Sequence, residues 1–347
     1  MKDSQLTSRR RFLGGAALAL GAVTTKNAWA KAIPAEGDAK INHYVYWAHR
    51  GDIRLFMYRK LIGMPTPGKS KKPILFLTHG SSMPSQPTFD LHVPGHKDYS
   101  LMDVFARYGY DVWTMDFEGY GHSSPSHGNS DIADGVADLQ AATPVIWKET
   151  GQDSFFLYGE SSGALRAGAF AMAEPARVRK LVVSAFTWTG KGSRTLEQRA
   201  KDVEYYRTHN TRPRGRKMVE SIFLRDKPGT SNPAVAKAMA DAVLKFGDIA
   251  PTGTYLDMVT KLPIVHPEKL PMPMQILHGE YDGIATVQDL ANFFVRLPSP
   301  DRQLVIMPKA AHLLDMGVNR AQFFHVMHAF LDMPPTRLLY TPATKKD

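Results

Sequence analysis

The 347-residue chain contains no cysteine. That excludes a disulfide, a thiolate nucleophile and any metal site built on thiolates. It also carries no dinucleotide-binding fingerprint and no metal-ligand spacing, so no cofactor is expected. No apolar run approaches the roughly 20 residues of a membrane-spanning helix, so stable membrane insertion is not expected. Basic residues are not interleaved with aromatics, which argues against nucleic acid as a partner. There is no internal repeat and no low-complexity tract. What remains is a chain that is 43% hydrophobic, with aromatics spread along its length, which suits a folded protein with one large core and room for an insertion.

The formal charge is +10, and it is unevenly placed. The first 30 residues hold five basic groups against Asp3, in a stretch that reads SRRRFLGGAALALGAVTTKNAWAK. Paired arginines before Phe12-Leu13, a short Ala/Gly-rich run and small residues at Ala28 and Ala30 resemble a twin-arginine export signal. The expectation is an export peptide over residues 1–30, read by the twin-arginine machinery and cleaved near Ala30. The mature protein would then be periplasmic or secreted.

Beyond the signal, strands and helices alternate. Residues 44–60 hold two β-rich runs around Arg50-Gly51-Asp52, a hairpin signature. KKPILFLTHG, YDVWTM, FFLYG, VRKLVVSAF, MPMQILHG and RQLVIM read as buried strands, because their hydrophobicity is continuous rather than alternating. Helical patterns lie between them, one opened by Asp131 as cap and containing Pro144, where a kink is expected. This order predicts an α/β fold with a mostly parallel sheet. Residues 187–270 break the alternation with helix formers at 194–208 and 233–246. They hold fifteen Lys/Arg against nine Asp/Glu, whereas the rest of the mature chain balances at 23 against 23. A solvated helical face is the plainer explanation of that excess; an anionic substrate or a membrane surface is the sharper one.

One stretch carries chemistry. Gly159-Glu160-Ser161-Ser162-Gly163 lies between a predicted strand and a predicted helix, the setting of a nucleophile elbow. The symmetric glycines, Gly159 and Gly163, select Ser161 as nucleophile and leave Ser162 to offer its backbone N–H to an oxyanion. A serine hydroxyl needs a base within reach, and His312 follows the last predicted strand. The base needs a carboxylate to orient it. Asp282, at the exit of MQILHGEYD, is preferred over Glu280 and Asp315. A second oxyanion donor is expected from Ser81, after His79-Gly80. Trp188 and Arg166 are candidate substrate contacts, and Tyr205, Tyr206, Phe223, Tyr255 and Arg212 to Arg216 are weaker ones.

Together these segments, with Asp116-Phe117-Glu118-Gly119-Tyr120-Gly121-His122-Ser123, resemble the serine α/β-hydrolase family over nearly all of residues 44–332. The resemblance implies an eight-stranded sheet whose second strand is antiparallel. It also implies a core of residues 31–186 and 271–347, with a helical cap over 187–270. Ala311 stands before His312 where the family has glycine. Dehalogenases and epoxide hydrolases share the cap and sheet but use an aspartate nucleophile, which Ser161 argues against. The expected activity is cleavage of a small carboxylic ester through an acyl-enzyme. A lactone, an amide or a carbon–carbon bond in a vinylogous 1,5-diketone would suit the same three residues, and a non-catalytic binding protein is the remaining alternative.

Overall fold

A computed structural model describes residues 40–336; the expected export signal over residues 1–30 lies outside the described residues. The strands are β1 (Ile41–Arg50), β2 (Ile53–Ile62), β3 (Ile74–Thr78), β4 (Asp111–Met115), β5 (Phe155–Glu160), β6 (Val178–Ser184), β7 (Thr211–Pro213), β8 (Ile249–Pro251), β9 (Met274–Gly279) and β10 (Arg302–Met307). Among the described residues, eight of them form one sheet in the order β1-β2-β4-β3-β5-β6-β9-β10. β2 runs antiparallel to both neighbours, and the pairs from β4 to β10 are parallel.

The continuous apolar runs have their expected cause. Every residue of β3, β4, β5 and β9 is buried, because helices cover both faces. On one face the helices Ile132–Thr150, Ser162–Ala173 and Val287–Phe294 pack their apolar stripes against Phe76, Trp113, Leu157 and Ile276. On the other, Leu101–Arg107 and Arg320–Asp332 cover Leu75, Leu77, Val112 and Tyr158. At the β1–β2 turn Gly51 takes the left-handed φ of +60° that the hairpin requires.

The helix from Ile132 is opened by a reciprocal capping box between Asp131 and Asp134, and it runs through Pro144 to Thr150. The helix is continuous across the proline. Proline removes one hydrogen bond, to the carbonyl of Gln140, at an exposed position of the helix.

Between β6 and β9 the chain leaves the sheet. Helices Arg194–Ala200, Val203–Thr208, Arg216–Leu224, Pro233–Val243 and Gly253–Thr260 fill this segment, together with the two-stranded β7–β8 pair. The pair is absent from the sequence reading, since each strand has three residues and ends in proline. Val219, Phe223, Val235, Met239 and Val243 of this segment form one apolar cluster with Met83, Leu91 and Val93, which follow β3. Leu313 and Met316, from the loop that carries His312, complete the cluster. The inserted helices are thus held over the carboxyl ends of β3 and β10, where an open parallel sheet presents its chemistry.

Candidate active site

β5 ends in Glu160, and the next helix begins at Ser162. Ser161 is left between them at φ 58° and ψ −123°, a conformation costly for a residue with a side chain. The flanking glycines explain how so tight a turn closes. A Cβ on Gly159 would lie 2.5 Å from the carbonyl oxygen of Gly163, and one on Gly163 would collide with that of Thr78. Neither position tolerates even alanine without moving backbone.

The turn carries the Ser161 hydroxyl to His312. Nε2 of His312 lies 3.2 Å from Ser161 Oγ, and Nδ1 lies 2.9 Å from Asp282 Oδ1. The same carboxylate oxygen accepts the N–H of Ile284 at 3.0 Å, which fixes its orientation. Asp282 Oδ1 therefore holds Nδ1 as the protonated nitrogen and leaves Nε2 facing the serine as a base. Burial alone would raise the Asp282 carboxyl. The adjoining imidazole of His312 outweighs it, with help from His278 and the Ile284 N–H, and the group is held below the usual carboxylate range. All three side chains are nearly closed to solvent. Ala311 does not disturb the loop, since the His312 geometry is reached with alanine in place.

Ser81 and Ser162 are brought together by their own side chains. Ser81 donates to Ser162 Oγ at 2.7 Å, and Thr254 of the inserted segment donates to Ser81 Oγ at 2.8 Å. Tyr120 anchors the Ser81 carbonyl at 2.9 Å. Among the described residues, neither the N–H of Ser81 nor that of Ser162 has an acceptor. Two unengaged donors thus lie beside the strained serine, the kind of groups that an oxyanion site requires. His79 holds this loop. Its Nε2 accepts the Phe117 N–H at 3.2 Å, so Nδ1 carries the proton and donates to the Gly80 carbonyl at 2.8 Å. Burial, with Arg166 adding, pushes His79 down to about 3, so it stays a neutral structural link.

The Asp116–Ser123 loop is fixed by the side chain of Asp116. Asp116 Oδ1 accepts the Ser85 N–H and hydroxyl, each at 2.7 Å, and its other oxygen accepts the His122 N–H at 2.9 Å. Among the alternative acids, Glu280 accepts the Lys309 N–H at 2.8 Å on the surface. Asp315 instead faces Glu160 in the interior.

That pair was not foreseen. Glu160 and Asp315 are 2% and 1% exposed, and among the described residues no cation pairs with them. Burial raises Asp315 to about 7. Burial, Asp315 and Asp282 together raise Glu160 well above the carboxylate range. The two groups therefore share protons near neutrality, tying the residue before Ser161 to the loop that carries His312. Both folded-state values exceed their unfolded ones. The pair's contribution to stability is complete below pH ~4 and is lost as pH rises through about 7 and beyond. Glu160→Gln is expected to flatten the fall in melting temperature between pH 6 and 9, read by circular dichroism. An unchanged slope would show that the pair does not hold those protons.

The two expected substrate contacts lie elsewhere. Arg166 is wholly buried under the Asp116–Ser123 loop. Its Nη2 donates to the Ser130 carbonyl at 2.8 Å, and its guanidinium lies 4.1 Å over Phe117. Trp188 packs edge-on to Phe293 at 5.8 Å, with Arg296 over its ring at 5.1 Å. Both serve packing. In their place the inserted segment brings Asp226, unremarked in the sequence. One carboxylate oxygen of Asp226 lies within 4.8 Å of ligating atoms of both Asp282 and His312. No local pattern announces it, because its neighbours come from distant segments.

A search of curated proteins finds no match. Solved structures share the fold at low identity. An E-2-(acetamidomethylene)succinate hydrolase is 17% identical with a TM-score of 0.61, over 84% of this chain and all of that one. An α/β-hydrolase fold protein from Chitinophaga pinensis is 16% identical with a TM-score of 0.60, over 83% and 97% of the two chains. A thermophilic esterase from Thermogutta terrifontis is 18% identical with a TM-score of 0.57, over 84% and 98%. The family profile described as serine aminopeptidase, S33, matches residues 96–316, well over half of the chain and the stretch that contains Ser161, Asp282 and His312. The chain therefore belongs to the S33 serine aminopeptidase family and is an α/β-fold hydrolase.

Proposed function

We propose that this hydrolase cleaves carboxylic esters through an acyl-enzyme on Ser161. The observation that carries the reading is the continuous chain Ser161 Oγ, His312 Nε2, His312 Nδ1, Asp282 Oδ1 beside two unengaged N–H groups. As Ser161 Oγ bonds to the ester carbonyl carbon, its proton passes to His312 Nε2 and the carbonyl oxygen takes the negative charge. The N–H groups of Ser81 and Ser162 stabilise that charge, and Asp282 stabilises the imidazolium. When the carbon–oxygen bond to the alcohol breaks, His312 returns the proton to the departing oxygen. Water, deprotonated by the same nitrogen, then adds to the acyl carbon and releases the acid and the free serine.

Export by the twin-arginine route is part of the proposal and rests on the N-terminal sequence alone. The family profile takes its name from an aminopeptidase, so amides are the second reading. A fluorophosphonate label with peptide mapping, run beside p-nitrophenyl esters, the matching anilides, lactones and a vinylogous 1,5-diketone, separates them. The expected result is a label on Ser161, and esters turned over faster than anilides of the same acyl group. A label on another residue, or anilides cleaved faster than esters, would sink the ester reading.

A further inference from the structure

A cavity of about 400 Å³ opens within the inserted segment, beside the triad rather than over Ser161 itself. It borders the catalytic residues on two sides. On the oxyanion side its wall includes Ser82, whose hydroxyl lies 2.6 Å from that of Tyr255. On the acid side it includes Arg194 and Asp226. Both lie against Gly283, the residue after Asp282: a Cβ there would stand 3.1 Å from Asp226 Oδ1 and 3.8 Å from Arg194 Nε.

The chemistry of the lining is one-sided. Arg194 and Arg199 from one helix, Arg212 from β7 and Arg225 after the helix Arg216–Leu224 converge on the cavity, against the carboxylates of Asp202 and Asp226. Tyr255 is 1% exposed and serves as a platform, with the Arg199 guanidinium 4.8 Å from its ring centre and that of Arg212 4.7 Å away. Among the described residues, the one carboxylate within 4 Å of any of the four guanidiniums is Asp226, 3.7 Å from Arg225 Nε. Asp226 is itself held against Asp282 and His312. Burial pushes Arg199 down to about 10, the mark of a cation lacking an anion. Burial would raise the Tyr255 phenol, yet Arg212 and Arg199 outweigh it and the group is lowered. A solvated basic face has its guanidiniums in water. Here two half-buried guanidiniums are stacked on a buried ring and stand without a carboxylate, so an anion seated there would meet partly desolvated donors.

We propose that this cavity is an anion-binding subsite. It seats an oxyanion group, carboxylate or phosphate, on the part of the substrate remote from the scissile bond, with Arg199 and Arg212 as its principal donors. The excess positive charge of the inserted segment then has a function, and the same field disfavours the N-terminal ammonium that an aminopeptidase substrate presents. The substrate class becomes an acidic ester, such as the half-ester of a dicarboxylic acid or an ester bearing a phosphate. The kinetic part of this inference rests on the ester reading above; the binding part does not.

Two measurements test it. In the first, mono-(p-nitrophenyl) adipate is compared with p-nitrophenyl hexanoate, which differs by one terminal carboxylate. The wild type is expected to favour the adipate in kcat/KM by about tenfold or more, as a charge-assisted bidentate contact supplies. Arg199→Met and Arg212→Met should bring the ratio toward one, while Arg207→Met, on an exposed arginine paired with Glu204, should not change it. In the second, calorimetry on Ser161→Ala follows adipate and inorganic phosphate, with chloride as the ionic-strength control. Saturable binding of adipate, phosphate or both, lost in the Arg199→Met background, is expected, and the two arms distinguish carboxylate from phosphate as the group seated. Heats equal to those of chloride, or binding untouched by both arginine variants, would overturn the subsite. If neither ester is turned over but adipate or phosphate binds through Arg199, the ester reading fails and the subsite stands. Arg194→Met, on the exposed rim, repeats the measurement should a stacked variant not fold.

Discussion

Ser161→Ala is expected to lower turnover of the best ester by about 10⁴-fold or more, with the melting temperature within a few degrees of wild type. The size follows from what the side chain does. Without Oγ no acyl-enzyme forms, and the remaining rate is that of water attacking a carbonyl polarised by the Ser81 and Ser162 N–H groups. His312→Ala should cost a similar factor, because Nε2 is the acceptor 3.2 Å from the hydroxyl. The double variant should be little slower than either single one, since the two residues act as a unit. Steady-state kinetics on the three proteins decides this. Multiplying losses in the double variant, or a Ser161→Ala protein retaining a tenth of wild-type turnover, would remove Ser161 from the chemistry. The alanine keeps the Cβ and hence the cost of the φ of 58°, so the backbone strain is the same in both proteins.

The largest expected effect on stability lies far from that chemistry. Arg59 of β2 and Asp111 of β4 form a bidentate pair, with Nε to Oδ1 at 2.8 Å and Nη2 to Oδ2 at 2.6 Å, and both side chains are 0% exposed. Tyr46 accepts a further bond from Arg59 at 3.1 Å, and Ser70 donates to Asp111 at 3.2 Å. The pair as a whole contributes little net stability, since desolvation offsets most of the attraction. Breaking it is another matter. Arg59→Met strands a carboxylate at the junction of β2 and β4, and about 3–5 kcal/mol of stability should be lost. Arg59→Met with Asp111→Leu should recover much of that. Urea midpoints measure both. If the single variant unfolded at the wild-type midpoint, Asp111 would be reaching water and the pair would not be structural.

The contrast between these two predictions mirrors what local sequence can express. The elbow was legible because strand, glycines, serine and helix are consecutive, and their geometry is set by steric contacts within a few residues. Asp282 and His312 were legible for a related reason. Each follows a continuously apolar strand, and parallel strands end on one edge. Residues 30 and 151 positions apart are therefore delivered to one place by topology alone. The hairpin at Gly51 and the buried character of β3, β5 and β9 belong with them.

Arg166, Arg59 and Glu160 show the limit. By residue type each reads as a surface charge or a site residue, yet each is buried against a partner supplied from elsewhere. Arg166 takes the Ser130 carbonyl, Arg59 takes Asp111, and Glu160 takes Asp315. Periodicity tells which face of an element is turned inward. It cannot tell that a charge on that face will find its complement, because that depends on a single atom held in position by a different segment.

The cap illustrates the same division. Its position in the chain and its positive charge were open to reading from composition. That its charge gathers on one buried tyrosine beside the acid of the triad was not. Tyr255 meets Ser82 across 173 residues, and Arg199 and Arg212 reach its ring from different elements. The sequence alone therefore determined the class of fold and singled out a candidate nucleophile and the order of its candidate partners, since these follow from apolar runs and short-range sterics. The tertiary structure alone decided which charges are buried, which are paired and which are left facing an empty space. Electrostatic complementarity acts between atoms brought close in space, whatever their separation along the chain.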